Sequence, residues 1–254
     1  MQVGTGASAL PWEILDAGGL AVYRRYARLH LRLFPYLWSH AAELSRGGLP
    51  LVRPLGLAHP ELGVHPPDTY LLGDALLVAP VVRRGERERA VAFPPGRWLD
   101  WWSGAEVSTE AGTRTVPAPL ERLPLFLRAG ALVPLLRPTI DTLAPTSEPE
   151  RVDSYAADPG VLHVRTSPGP AARLALFDGG ELSQELDGDE LVLRYRGGSE
   201  LNAGARFEVL GWRGGTSRVL LDGELVEPAP ALDERGRLVL DVPAGEHVLR
   251  VAAD

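Results

Sequence analysis

From Tyr70 onward no stretch of this chain keeps a helical period, and this constrains its fold more than any other feature. TYLLG, ALLVAPVV, RAVAFP, RWLDWW, TRTVPAP and LPLFLRAGALVPLL are short, apolar or alternating runs, punctuated by Gly, Pro or Asp. Strands with turn residues at such intervals read as an antiparallel sandwich. Arg137 to Glu150 is rich in Pro, Thr and Glu and reads as a linker. A second series follows in VLHVRT, ARLALF, ELVLRY, RFEVLGW, SRVLLDG, RLVLDV and HVLRVA. Asp187-Gly188, Asp222-Gly223 and Ala244-Gly245 separate several of its runs, and Asp-Gly between alternating runs marks a hairpin. A second β-sandwich is therefore expected from about Asp153 to the end.

The N-terminal stretch differs. Leu20, Tyr23, Ala27, His30, Phe34, Leu37, Ala41 and Leu44 recur three and four apart, a helical stripe, with Arg24, Arg25, Arg28 and Arg32 on the polar side. Pro35 removes a backbone donor mid-pattern, which predicts a kink or two abutting helices. Gly47 and Gly48 supply the stop, and Leu49 to Leu55 reads as a short buried strand. Helix, turn and strand make one α/β unit. A single unit cannot build a parallel sheet, so the region looks cut from something larger.

The motifs now have a recognisable order. LRLFPYLWSHAAELSRGGLPLVRPL, with Leu33-Phe34-Pro35-Tyr36, Gly48-Leu49-Pro50 and Arg53-Pro54-Leu55, resembles the stretch of glycoside hydrolase family 31 that leads into the eighth strand of a (β/α)8 barrel. YLLGDALLVAPVV, PPGRWLDWWSG and APLERLPLFLRAGALVP resemble the family's proximal C-terminal β domain. SPGPAARLALFDGGELS is similar to the start of its distal β domain, although Phe177-Asp178-Gly179-Gly180 replaces the usual Tyr-Glu-Asp-Asp-Gly type turn. The resemblance implies a mainly β fold: two tandem antiparallel β-sandwich domains preceded by the last helix-strand element of a (β/α)8 barrel. The expected division is 1–58 for the barrel remnant, 59–140 for the proximal sandwich, and 141–254 for the linker and distal sandwich.

The same resemblance implies hydrolysis of α-glycosidic bonds by a retaining pair of carboxylates about 5–5.5 Å apart. The family's nucleophile lies in a Trp-x-Asp-Met-Asn-Glu type motif, which this sequence does not contain. Val3-Gly4-Thr5 resembles the segment just after the family's active-site His, so the acid/base Asp and that His are expected upstream of Met1. No catalytic residue is therefore assigned, and the chain alone is expected to be inactive. Its expected partner is a (β/α)8 catalytic barrel, in the same reading frame or as a separate chain, with carbohydrate bound only if that barrel is present. The alternative is a free-standing carbohydrate-binding β-sandwich module; an amphipathic helix with nothing to cover argues against it.

Few side chains invite a chemical role. Arg53 is the one polar residue of its strand, and the resemblance puts it near the barrel mouth, as a substrate-side or orienting residue. The other reading is a salt bridge that fixes the barrel to the proximal domain. Asp68 and Asp74 could be an acid/base pair, but both sit in turn settings. Trp98, Trp101 and Trp102 could stack a sugar; alternation instead sends Trp98 and Trp102 to one face and Trp101, with Leu99, to a core face. His30, His40, His59 and His65 have no metal-ligand spacing, and no nucleotide-binding glycine motif occurs, so neither metal nor cofactor is expected.

Composition narrows the class further. Net charge is -7 with no basic stripe, which argues against nucleic acid. No run is apolar enough to span a bilayer. Cysteine is absent, removing disulfides and thiolate chemistry, and with no leader-like N-terminus a reducing, cytoplasmic compartment is favoured.

Overall fold

The computed structural model describes residues 10–44, 48–213, 217–230 and 232–253. Val3-Gly4-Thr5 and the helix stop at Gly47 lie outside them. A short helix α1 (Pro11–Ile14) precedes α2 (Ala17–Arg32) and α3 (Phe34–Leu44). The two longer helices abut at Leu33, as the Pro35 position predicts: a proline fits the first turn of a new helix, where its missing donor is not needed. Asp16 caps α2, its carboxylate accepting from Gly19 N at 2.7 Å.

Next come β1 (Val52–Pro54) and α4 (Leu55–Ala58), then β2 (Tyr70–Leu72), β3 (Leu76–Val78), β4 (Glu88–Phe93) and β5 (Trp98–Asp100). They are followed by β6 (Glu106–Ser108), β7 (Gly112–Pro117), β8 (Leu125–Arg128) and β9 (Leu132–Leu135). One six-stranded sheet has the order β1-β2-β3-β8-β5-β6, and β4 pairs with β7 alone. In β3, Leu77 faces the β4-β7 layer while Leu76 and Val78 face the helices and β9; in β8, Phe126 and Leu125/Leu127 divide the same way. With both faces covered, these strands are continuously apolar.

The remaining strands are β10 (Leu162–Thr166), β11 (Ala172–Ala175), β12 (Glu181–Asp187), β13 (Glu190–Arg196) and β14 (Ala205–Val209). They end with β15 (Ser217–Leu221), β16 (Glu224–Leu225), β17 (Leu238–Val242) and β18 (Glu246–Ala253). Two sheets, β17-β14-β10-β9 and β11-β12-β13-β18-β15-β16, enclose a core that includes Val164, Leu193, Phe207 and Val251. The fold is mainly β and dominated by antiparallel ladders, with β10-β14 parallel.

Two local expectations are corrected. The strand expected over Leu49 to Leu55 is three residues long, and Val52 is 54% exposed, so it is not a buried strand. It joins the proximal sheet, with Arg53 opposite Leu71, and at that edge no second layer covers its outer face. The stretch from Arg137 to Glu150 is no free tether either. Ile140 is fully buried, and Arg137 binds the Asp153 carboxylate, with Nε to Oδ2 at 2.8 Å.

Candidate functional site

Arg53 lies buried on β1 between two exposed neighbours. Its Nε donates to Pro50 O at 2.7 Å and its Nη1 pairs with Asp74, whose side chain stays mostly exposed. Asp74 follows Gly73 on the β2-β3 turn, and Gly73 N donates to Leu51 O at 2.7 Å. The pair thus staples the chain before β1 to that turn. Beneath the turn, Tyr36 of α3 is fully buried; its hydroxyl donates to Leu72 O at 2.7 Å and accepts from Ala75 N at 3.1 Å. Burial, with the nearby Asp74 charge, pushes the Tyr36 pKa well above the usual phenol value.

Asp68 does not join Asp74. It pairs with Arg89 at 2.5 Å, so the two carboxylates serve different arginines. Beside Arg53, Val52, Pro54, Leu57, His65, Pro67 and Tyr70 line a largely apolar cleft of about 480 Å³. Leu57 is 54% exposed, and the helices expose Trp12 at 62% and Trp38 at 56%. Surface of this character marks a contact face.

The three tryptophans form no platform. Trp98 packs between the sheets, 1% exposed, with its indole donating to Pro94 O at 3.0 Å. Trp101 is 2% exposed. The expected pairing of Trp98 with Trp102 on one face fails because β5 stops at Asp100. The Asp100 carboxylate accepts from the backbone N–H of Trp102 and Ser103, a turn that ends the alternation. Trp102 instead meets Tyr26 edge-on, ring centroids 5.9 Å apart.

The histidines stay apart in role. His40 lies edge-on against Tyr36, His59 hydrogen-bonds Glu61, and His65 lines the apolar cleft.

Sequence reasoning missed a buried charge cluster. Arg165 donates from Nη2 to Glu208 Oε2 at 2.6 Å, and Arg237 reaches the same oxygen at 2.8 Å. His163 Nδ1 sits 3.9 Å from Glu208 Oε1, too far for a direct hydrogen bond. Burial alone would raise the Glu208 pKa, but the guanidinium groups of Arg165 and Arg237 outweigh it and hold the carboxyl well below the usual range. Arg165 also lies over the Trp101 ring at 4.1 Å, so the cluster joins the two β regions. The signal was present: His163 and Arg165 alternate with the apolar Leu162 and Val164 along β10.

Comparison with known proteins bears on this geometry. Residues 48–133 match the model described as the glycosyl hydrolase family 31 C-terminal domain. The 1,3-alpha-isomaltosidase of Kribbella flavida is 39% identical over 126 residues, which are 47% of this chain and 17% of that protein. Alpha-glucosidase 2 of Bacillus thermoamyloliquefaciens is 33% identical over 116 residues, 45% of this chain and 15% of that protein. The chain thus spans less than a fifth of these curated relatives. In structure it is similar to a Flavobacterium johnsoniae dextranase complexed with glucose, with TM-score 0.77 and 20% identity over 98% of this chain and 34% of that one. It is also similar to a cycloalternan-forming enzyme of Listeria monocytogenes, with TM-score 0.78 and 20% identity over 96% of this chain and 25% of that one.

Proposed function

We propose that this chain, whose residues 48–133 match the glycosyl hydrolase family 31 C-terminal domain, is the C-terminal portion of a family 31 enzyme and supports a (β/α)8 barrel that hydrolyses α-glycosidic bonds. On this reading residues 1–58 end the barrel, 59–140 form the proximal β domain and 141–254 the linker and distal β domain. The catalytic carboxylates belong to the barrel, and the 254 residues alone do not turn over substrate. The observation that carries the reading is the uncovered apolar cleft at Val52, Leu57 and Tyr70, beside the end of β1. A barrel in the same reading frame or in a second chain would cover it.

Arg53 has two roles open to it. Its pairing with Asp74 and Pro50 supports the staple, which would hold the end of the barrel on the proximal domain. A substrate-side role requires a guanidinium nitrogen left free for sugar. The module alternative draws no support from the tryptophans, since Trp98 and Trp101 are buried.

The test is direct. The purified chain is assayed on aryl α-glucosides and α-xylosides. No turnover above the buffer blank is expected, because without a carboxylate pair the roughly 10⁶-fold or greater acceleration of an enzyme has no source. Turnover that survives repurification would overturn the reading.

A further inference from the structure

A second pocket lies where α2 meets both β regions. It measures about 310 Å³ and is lined by Arg25, Arg28, Arg32, Arg165 and Arg235, with the Trp101 and Trp102 side chains in its wall. Arg28 is balanced by Asp141 at 2.8 Å and Arg165 by Glu208. Among the described residues no carboxylate lies within ion-pair distance of Arg25, Arg32 or Arg235. Arg32 is the telling member. Its Nε donates to Leu136 O at 3.0 Å, while its Nη2 is buried and donates to nothing among the described residues. A buried donor left unpaired costs free energy unless a ligand accepts from it.

We propose that this pocket binds a small phosphate-type dianion, as free phosphate or as the phosphoryl group of a phosphorylated sugar. Three guanidinium groups without an ion-pair partner among the described residues favour a doubly charged oxyanion over a monoanion. Their planar forks suit multi-oxygen anions, and the indole walls keep the local dielectric low. Burial and the charges of Arg165 and Arg237, partly offset by Glu208, bring the Arg32 pKa down to about 10, as expected where positive charge is crowded. The site is separate from the apolar cleft at β1 and does not depend on a barrel.

The test is isothermal titration of the full chain at fixed ionic strength with inorganic phosphate, glucose 6-phosphate, acetate and glucose. Saturable binding of phosphate is expected, with acetate at least about tenfold weaker and glucose silent. Glucose 6-phosphate tighter than phosphate would identify the phosphosugar as the ligand; equal or weaker binding would identify the free ion. Arg32→Gln and Arg235→Gln should each weaken phosphate at least about tenfold. Arg235 is exposed and its side chain makes no hydrogen bond or ion pair among the described residues, so that variant keeps the test decisive if Arg32→Gln fails to fold. No saturable phosphate binding, or binding unchanged in Arg235→Gln, would overturn the proposal.

Discussion

Gly73 turns the chain with φ +60, and a Cβ there would sit 2.1 Å from the Tyr36 hydroxyl oxygen. That oxygen is committed to both Leu72 and Ala75, so it cannot retreat without losing hydrogen bonds. Gly73→Ala therefore combines an unfavourable backbone region with a clash in a filled space. It should lower stability by at least about 2 kcal/mol, read as a lower urea midpoint with unchanged slope. Glu208 makes a second residue-level prediction. Its pKa is depressed on folding, so its stabilisation is full above the ordinary value of 4.5 and fades as pH falls below it. Glu208→Gln should cost about 3–5 kcal/mol at pH 7, by leaving Arg165 and Arg237 buried without their counter-charge. The variant should also lose part of the acid-side slope of stability expected of the native chain below pH 5. Urea titrations at pH 7 and pH 4 would check both, and a variant with the native slope would show that Glu208 is not the group responsible. Asp153, also held low by Arg137, contributes to the same window but is more exposed.

The elements differ in how firmly they are held. Helices α2 and α3 bind both β regions: Tyr36 to the β2-β3 turn, Phe34 edge-on to Tyr155 and Phe177, and Leu136 N to Arg32 O at 2.8 Å. Strand β1 has a neighbour on one side only, whereas β13 lies between β12 and β18. Hydrogen exchange should therefore open β1 and α4 first, α3 later and β13 last. Equal protection of β1 and β13 in a monomer would contradict this order. The sequence revealed these elements unevenly. The stripe from Leu20 to Leu44 and the break at Pro35 were legible because helical period and proline chemistry are local. So were the Asp187-Gly188 and Asp222-Gly223 turns, which join β12 to β13 and β15 to β16. The faces of Trp102 and the exposure of Val52 were not. One depended on where β5 stops, the other on which sheet β1 joins, and both are decided by contacts distant in sequence. The arginine pocket was hidden for the same reason, since Arg32, Arg165 and Arg235 meet only after folding.

At the scale of the whole molecule, Trp12, Trp38, Leu49 and Leu57 are each more than half exposed, which is costly in water. The chain studied alone should self-associate through such surface as its concentration rises. Sedimentation velocity should show this, and Trp38→Glu with Leu57→Glu should reduce it; a native chain that stays monomeric at high concentration would count against the contact-face reading. The sheet arrangement has a further consequence. Strand β9 follows β8 by a three-residue turn, yet β8 is in the proximal sheet and β9 pairs with β10 in the next one. The hydrogen-bonded ladders of the two sandwiches therefore interlock ahead of the proline-rich stretch, where a gene engineer would cut. A graft that begins after Leu136 would strip an edge strand from the transplanted sandwich and expose the β10 ladder to unwanted pairing. A transferable module has to start in the Ala129–Ala131 turn, carrying Leu132–Leu135 with it, and a donor cut there keeps its own sheet whole.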